Sequence, residues 1–239
     1  MRAAPKLPVA GDGSLSAKIL PMNELIQTFA VYALPILFAI TLHEAAHAYA
    51  ARYFGDNTAF SLGRMSLNPI RHIDPVGTIL IPVVLFFAQS PFLFGYAKPV
   101  PIDFGRLRNP KRDMAWVALA GPGANFIMAV MWLLFALILQ MLAISEPYFF
   151  KMARAGLETN LVIFAFNLFP IPPLDGGRVM ASLLPARQAV QYAKLEPYGF
   201  YIVLALAYLH VLNFWMAPVM GITRRALQLL LSPLTFFLS

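Results

Sequence analysis

Long uncharged runs alternate with short polar stretches along this chain. The runs cover 25–51, 76–97, 114–145, 159–174 and 197–223, and apart from tyrosines they contain only four ionisable side chains: His43, Glu44, His47 and His210. A helix needs about 20 apolar residues to cross the hydrocarbon core of a membrane. The pattern therefore predicts an all-α, polytopic membrane protein with about 4–6 transmembrane helices.

Composition agrees with this prediction. Only 12% of the 239 residues are charged, against about a quarter in a typical soluble domain. The chain has no cysteine, which excludes disulfides and thiolate metal ligands. Its net charge of +7 lies mostly in short loops between apolar runs. That placement favours topology signals and contacts with anionic lipid headgroups over nucleic-acid binding.

The N-terminal stretch 1–21 differs from the rest of the chain. It is polar, contains Pro and Gly, and lacks the apolar core of a signal peptide. We predict a flexible tail, with Met22 as a second candidate start residue, followed by one membrane-embedded domain at 22–239. The longest later polar stretch, 98–113, is too short to form a separate soluble domain.

The stretch HEAAH at 43–47 places polar groups inside an apolar run. On a helix, His43 and His47 lie on one face and can bind one metal ion, while Glu44 beside them can hold a water. The alternatives are a chance match or polar core residues satisfied by their neighbours. An ionised acid at the membrane midplane costs about 2.5–3.5 kcal/mol, which favours a functional role.

A catalytic zinc site usually has three protein ligands and leaves a fourth position for water. The candidates for the third ligand are His72, His210, Asp56, Asp74, Asp103, Asp113, Asp175, Glu146, Glu158 and Glu196. Asp175 is distinctive because it follows the prolines of NLFPIPPLDGGR, and broken backbone at membrane depth is tolerated where it lines a cavity. A plain helix end at the membrane surface is the alternative interpretation of this stretch.

Together these motifs make the chain similar to the site-2 protease family of intramembrane zinc metalloproteases. HEAAH is followed far downstream by N-x-x-P-x-x-P-L-D-G-G at 167–177. Further stretches resemble the family's short, PDZ-less bacterial and archaeal branch: GRMSLNPIRHIDPVGT (63–78), GYAKPVPID (95–103) and RNPKRDMAWVALAGPGAN (108–125). The resemblance covers about 22–217, with Gly123 where the family has a bulkier residue.

The resemblance implies an enzyme with one zinc ion per chain. His43, His47 and Asp175 would hold the metal, Glu44 would act as general base and acid, and Asn167 would donate to the scissile carbonyl or its oxyanion. For Asn125 it implies a structural or substrate-positioning role. We interpret His72 as a hydrogen-bonding loop residue and His210 as a satisfied helix histidine.

The metal ligands also constrain topology. His43, His47 and Asp175 must reach one depth near the C-terminal ends of their helices, so those two helices should run parallel. Run 114–145 crosses once between them, so 76–97, interrupted by Pro82, Pro91 and Gly95, is predicted to form a re-entrant hairpin. Run 197–223 should cross once more, and 226–239 either spans or lies in the interface. The positive-inside rule then puts the active site toward the cytoplasmic side. The resemblance to a bacterial and archaeal branch implies a prokaryotic cell membrane.

The predicted function is hydrolysis of a peptide bond in or near a transmembrane segment of another protein, as in regulated intramembrane proteolysis. The substrate must unwind locally, and extended backbone at 167–173 or 92–103 could pair with it as an added strand. The alternatives are a catalytically silent partner-binding protein and a metal transporter. The partners implied are a transmembrane substrate and the bilayer, with a regulatory membrane protein and the oligomeric state left open.

Overall fold

The computed structural model describes residues 22–81, 83–84, 95 and 97–236. Within them all regular elements are helical, which confirms the all-α class. The α-helices are α1 (Met22–Tyr53), α2 (Thr58–Ser61), α3 (Pro110–Met141), α4 (Pro147–Asn167), α5 (Asp175–Leu183), α6 (Ala186–Ala193), α7 (Glu196–Tyr208) and α8 (Val211–Phe236). Short 3₁₀ turns lie at Pro69–His72 and Phe104–Arg106, and a π-helical turn lies at Pro75–Leu80.

Two described helices are long and apolar enough to cross a membrane: Phe29–Tyr53 of α1 and the whole of α3. The bent pair α7 and α8 would make a third span if it crosses as one unit. Large apolar side chains on these helices point outward, among them Ile127, as expected for surfaces that face lipid. The chain is thus a membrane protein. The number of four to six spans stays a prediction, since the tail 1–21 and most of the hairpin run 76–97 lie outside the described residues.

The directions of α1, α3 and α4 agree with the prediction made from the metal ligands. At one end of α1 and α4, the Tyr148 hydroxyl donates to the Ala30 carbonyl over 3.3 Å. At the other end, His47 lies 3.3 Å from Asp175, which follows α4. These contacts confirm that α1 and α4 are parallel. The Val117 carbonyl near the start of α3 contacts His47 near the end of α1, so α3 is antiparallel to both.

The crossing predicted at 197–223 is not one continuous helix. The chain turns by 83° between α7 and α8. His210 has a φ of 58° at this corner, a left-handed conformation that ends a helix, so it is an exposed corner residue and not a helix histidine. After the corner, α8 continues unbroken to Phe236, so 226–236 belongs to the same helix as 211–223.

The connection between α1 and α3 packs against the C-terminal end of α1. Ala48 is buried with Ala59 and Val100, so the extended segment 97–103 lies close to the HEAAH face. Asp56 fixes this segment: its carboxylate accepts hydrogen bonds from the Thr58 amide and hydroxyl and from the Asp103 amide, at 2.9, 2.5 and 2.8 Å. Burial alone would raise the pKa of Asp56, but these hydrogen bonds outweigh it and lower the pKa.

Glycines let the proline-rich turn after α4 close on itself. A Cβ on Gly176 would lie 2.2 Å from the Leu168 carbonyl oxygen, and one on Gly177 would lie 2.3 Å from the Pro172 nitrogen. Neither position can accept a side chain without moving the backbone. The turn, in which the Pro172–Pro173 peptide bond is cis, therefore places Asp175 at the start of α5.

Candidate metal centre

Three of the predicted ligands converge in the structure. His43 Nε2 lies 3.1 Å from His47 Nε2 and 3.2 Å from Asp175 Oδ2, and His47 Nε2 lies 3.3 Å from the same oxygen. Each of the three residues is only 6% exposed. Among the described residues, this is the grouping of His, Asp and Glu side chains that could hold a metal ion.

Helical spacing and the proline-rich turn bring these side chains together. His43 and His47 are one turn apart on α1, so both rings leave the same face of the helix. Asp175 reaches them from the first residue of α5. The ligands thus come from one helix face and from a turn that lies 128 positions further along the chain, counted from His47 to Asp175.

The second nitrogen of each imidazole contacts an oxygen of α3. His43 Nδ1 lies 2.6 Å from Asn125 Oδ1, and His47 Nδ1 lies 2.7 Å from the Val117 carbonyl oxygen. Because both partners accept hydrogen bonds, each Nδ1 carries the hydrogen and donates it. Each Nε2 then presents a lone pair toward Asp175, as a metal-binding imidazole requires.

The residues fit zinc. Three acceptor atoms face one another here, and Asp175 Oδ2 is buried with no hydrogen-bond donor among the described residues. Such a cluster is unfavourable unless a cation lies between the acceptors. Ligand atoms bound about 2.0–2.1 Å from a tetrahedral zinc ion are about 3.3–3.4 Å apart, close to the 3.1–3.3 Å separations observed. Two imidazoles and a carboxylate are also ligands that zinc accepts.

Gly121 of α3 allows the two helices to meet at this point. A Cβ there would lie 2.3 Å from His47 Nε2 and 2.7 Å from His43 Cε1, inside the space that a ligand ring or an ion occupies. Gly123, two positions on, would meet nothing within 4 Å. A bulkier residue therefore fits at position 123, whereas position 121 is restricted to glycine.

The predicted catalytic residues line a cavity beside the cluster. The cavity has a volume of about 520 Å³ and includes His43, Glu44 and Asn167 in its wall. Glu44 Oε2 accepts a hydrogen bond of 2.8 Å from the Val100 amide of segment 97–103. Asn167 Nδ2 donates to the Ile163 carbonyl over 3.0 Å. Glu44 stands outside the three-ligand grouping, as a residue that handles water should.

Other candidate ligands lie elsewhere. His72 is buried in the loop after α2, where its Nε2 lies 2.8 Å from the Ser66 carbonyl oxygen, which confirms its interpretation as a loop hydrogen-bonding residue. Asp56 and Asp103 bond to loop amides, and Glu158 pairs with Arg224. A larger cleft of about 920 Å³ lies between the N-terminal halves of α1 and α4, away from the metal centre.

Sequence reasoning missed Gly121, the Val100 amide and Asn160. Asn160 is fully buried and its Oδ1 accepts a hydrogen bond of 2.9 Å from Asn125. Its signal in the sequence is an amide inside the apolar run 159–174, seven residues before Asn167. Gly121 and the Val100 amide have no such signal, because their importance arises only from how close two backbones approach.

Comparisons with known proteins agree with this chemistry. The profile of Peptidase family M50 matches residues 148–210. "Putative zinc metalloprotease YwhC" of Bacillus subtilis is 36% identical over 202 residues, which cover 82% of this chain and 89% of the relative. "Putative zinc metalloprotease Rip2" of Mycolicibacterium smegmatis is 31% identical over 188 residues, covering 75% and 67%. "Zinc metalloprotease MJ0392" of Methanocaldococcus jannaschii is 22% identical over 156 residues, covering 65% and 35%. No solved structure matches the chain.

Substitution of Gly121 by alanine should impair metal binding. The added methyl group would overlap the imidazole of His47, so we expect zinc affinity to fall by more than about tenfold, as for disturbed ligand orientation. Gly123→Ala is the matched control and should bind zinc as the wild type does. Zinc per chain after dialysis, measured by elemental analysis, distinguishes the two variants. Full zinc content in Gly121→Ala would contradict the packing described.

Proposed function

The chain belongs to peptidase family M50, and on this basis we propose that it is an intramembrane zinc protease. It hydrolyses a peptide bond in or near a transmembrane segment of another membrane protein. His43, His47 and Asp175 hold one zinc ion, Glu44 is the general base and acid, and Asn167 is the oxyanion donor. The reaction belongs to the class of regulated intramembrane proteolysis.

This proposal rests mainly on how deep the two histidine ligands lie along the membrane-spanning helix α1. His43 and His47 lie within Phe29–Tyr53, a helix long and apolar enough to cross a membrane. His43 is ten residues before the end of α1, which corresponds to about 15 Å along the helix axis. A peptidase with ligands at that depth meets substrate inside the bilayer and not in bulk water.

Glu44 moves the proton in this mechanism. When bound, zinc supplies a Lewis acid that polarises a carbonyl and makes water more acidic. Glu44 is half-buried at the cavity wall, where the Val100 amide holds one carboxylate oxygen. It takes the proton of the attacking water and later gives it to the leaving amine nitrogen.

Asn167 stabilises the charge that develops on the substrate. It ends α4 in the cavity wall that also contains Glu44. One hydrogen of its amide group is donated to Ile163, which orients the side chain. The other has no acceptor among the described residues, so it can donate to the oxygen of the tetrahedral oxyanion. A donor fixed before the reaction stabilises that oxyanion without further reorganisation.

The substrate must enter the cavity as an extended chain. A helical peptide bond is shielded by its own turn, so the transmembrane segment unwinds before cleavage. Segment 97–103 has no helical structure and lies beside Glu44, so its backbone can pair with an unwound substrate. The same role is proposed for the proline-rich segment 167–173.

The enzyme is a multi-pass protein of a prokaryotic cell membrane, with residues 22–239 as its membrane-embedded unit. Arg52 lies in the last turn of α1, and further basic residues lie in the connection between α1 and α3: Arg64, Arg71, Lys98, Arg106 and Arg108. The positive-inside rule places this end in the cytoplasm. A transmembrane substrate and the surrounding lipid are its partners, and a membrane protein can regulate access to the cavity.

The substitution Glu44→Gln should separate metal binding from catalysis. The amide keeps the size of the side chain but cannot accept a proton, so we expect full zinc content and a fall in cleavage rate of about 10²–10⁴-fold. The measurement compares zinc per chain and cleavage of a model transmembrane substrate in lipid vesicles.

Glu146→Gln is the control for that substitution. Glu146 precedes α4 at the end of that helix away from the metal centre, and its side chain is exposed. It should cleave at the wild-type rate. Undiminished cleavage by Glu44→Gln would rule out the base proposed here. A wild type that binds zinc but cleaves no membrane substrate would favour the partner-binding alternative.

Substitution of Asn167 by alanine should lower kcat more than it raises KM. Loss of one oxyanion donor typically costs about 10²–10³-fold in kcat, while the substrate still fills the cavity. Asn213→Ala changes an exposed asparagine of α8 and serves as the control. An Asn167→Ala enzyme with unchanged kcat would show that the amide does not act on the transition state.

A further inference from the structure

We propose that Asn160 is a positioning residue that sets the hydrogen position on His43 through Asn125. The inference rests on the proposed function, since it concerns how the chain presents His43 to zinc. The three side chains, together with the Gly156 carbonyl, form a buried line of hydrogen bonds from α4 through α3 to α1. We call this line the amide relay.

The relay starts at a group that can only accept. Asn160 Nδ2 lies 2.8 Å from the carbonyl oxygen of Gly156, one turn earlier on α4. A main-chain carbonyl oxygen has no hydrogen to give, so the amino group of Asn160 must face it. The carbonyl oxygen of the Asn160 side chain is therefore directed away from Gly156, toward α3.

This orientation passes to Asn125 and then to His43. Asn125 Nδ2 donates to Asn160 Oδ1 over 2.9 Å and to the Ala39 carbonyl over 3.2 Å, so its own oxygen faces the imidazole. That oxygen lies 2.6 Å from His43 Nδ1, which must then carry the hydrogen. The lone pair of His43 is left on Nε2, the atom nearest Asp175.

Burial makes the relay effective. Asn125 and Asn160 are both 0% exposed, so solvent does not offer either amide an alternative partner. At the far end, a Cβ on Gly156 would lie 2.2 Å from Trp132 Cδ2, which shows that the indole covers the relay closely. An inverted amide would leave acceptors facing each other in a dry site, at a substantial energetic cost.

The two metal-binding histidines differ in the kind of acceptor that fixes the hydrogen on Nδ1. The Val117 main-chain carbonyl fixes the hydrogen of His47 directly, so no side-chain substitution removes that acceptor. His43 depends on two side chains. A change at Asn160 should therefore affect His43 and spare His47, which provides an internal control within one protein.

The test is Asn160→Leu in the full chain, a substitution that keeps the branched shape of the side chain, with bulkier methyl groups, and removes both polar groups. Without Asn160 Oδ1, only the longer bond of 3.2 Å to the Ala39 carbonyl still orients the Asn125 amide. The amide can then turn more easily and donate to His43 Nδ1, which moves the hydrogen to Nε2. We expect zinc affinity to fall by about 10–100-fold, the usual range for the loss of an outer hydrogen-bond partner. Competition with a chelator of known affinity measures this change.

Nitrogen-15 NMR of histidine-labelled, zinc-free protein at alkaline pH reports the hydrogen position directly, and the chain has only four histidines. His43 should carry its hydrogen on Nδ1 in the wild type and on Nε2 in Asn160→Leu, while His47 stays on Nδ1 in both. The wild-type spectrum alone overturns the proposal if His43 carries its hydrogen on Nε2, even if the variant does not fold.

Leu161→Ala controls for lost packing, because Leu161 is the next residue on α4, is fully buried and lies in the cluster with Ala129 and Leu227. It should lower the unfolding temperature but keep the zinc affinity and the His43 signal. Wild-type zinc affinity in a folded Asn160→Leu protein would overturn the relay. Loss of zinc affinity without a change at His43 would overturn it too.

Failure of the relay can be distinguished from failure of the proposed function. A wild type that binds zinc through a relay-oriented His43 but cleaves nothing would leave the relay intact and refute the protease. A protease whose zinc affinity is the same in the wild type and in Asn160→Leu would refute the relay and leave the proposed function intact.

Discussion

The mutual approach of three electron-rich atoms is the interaction on which the rest of this structure depends. His43 Nε2, His47 Nε2 and Asp175 Oδ2 lie within 3.1–3.3 Å of one another and are shielded from solvent. In an apolar environment, a cation that binds all three atoms makes that arrangement favourable. The polar HEAAH stretch is thereby compatible with a transmembrane helix, since a bound metal compensates for the cost of its burial.

Close backbone approach is the second requirement, and glycine meets it on both sides of the centre. On α3, Gly121 leaves room for the two imidazoles; after α4, Gly176 and Gly177 let the proline-rich turn fold back until Asp175 meets them. The small residues make room for the candidate metal centre as well as for helix packing. The hydrogen bonds of the imidazoles to α3 then determine which nitrogen faces the metal.

The sequence predicted what depends on residue type and local spacing. Helical spacing places His43 and His47 on one face, and the shared depth of the ligands correctly implied parallel α1 and α4. It could not predict the corner at His210, because an uninterrupted apolar run gives no sign that one residue adopts a left-handed conformation. Nor could it identify Gly121 or the Val100 amide, whose importance comes from contacts between segments far apart in the chain. Asn160 lay between these cases: its amide is conspicuous in an apolar run, but its partners are visible only in the folded chain.

The central claim is that these three side chains form the metal-binding site of a membrane-embedded peptidase. Zinc-edge X-ray absorption on the full chain in lipid nanodiscs tests it most directly. We expect one zinc ion with two imidazole ligands and with oxygen ligands at about 2.0–2.2 Å, and we expect one imidazole to disappear in His43→Ala. A zinc shell without imidazole, or one that His43→Ala leaves unchanged, would contradict it.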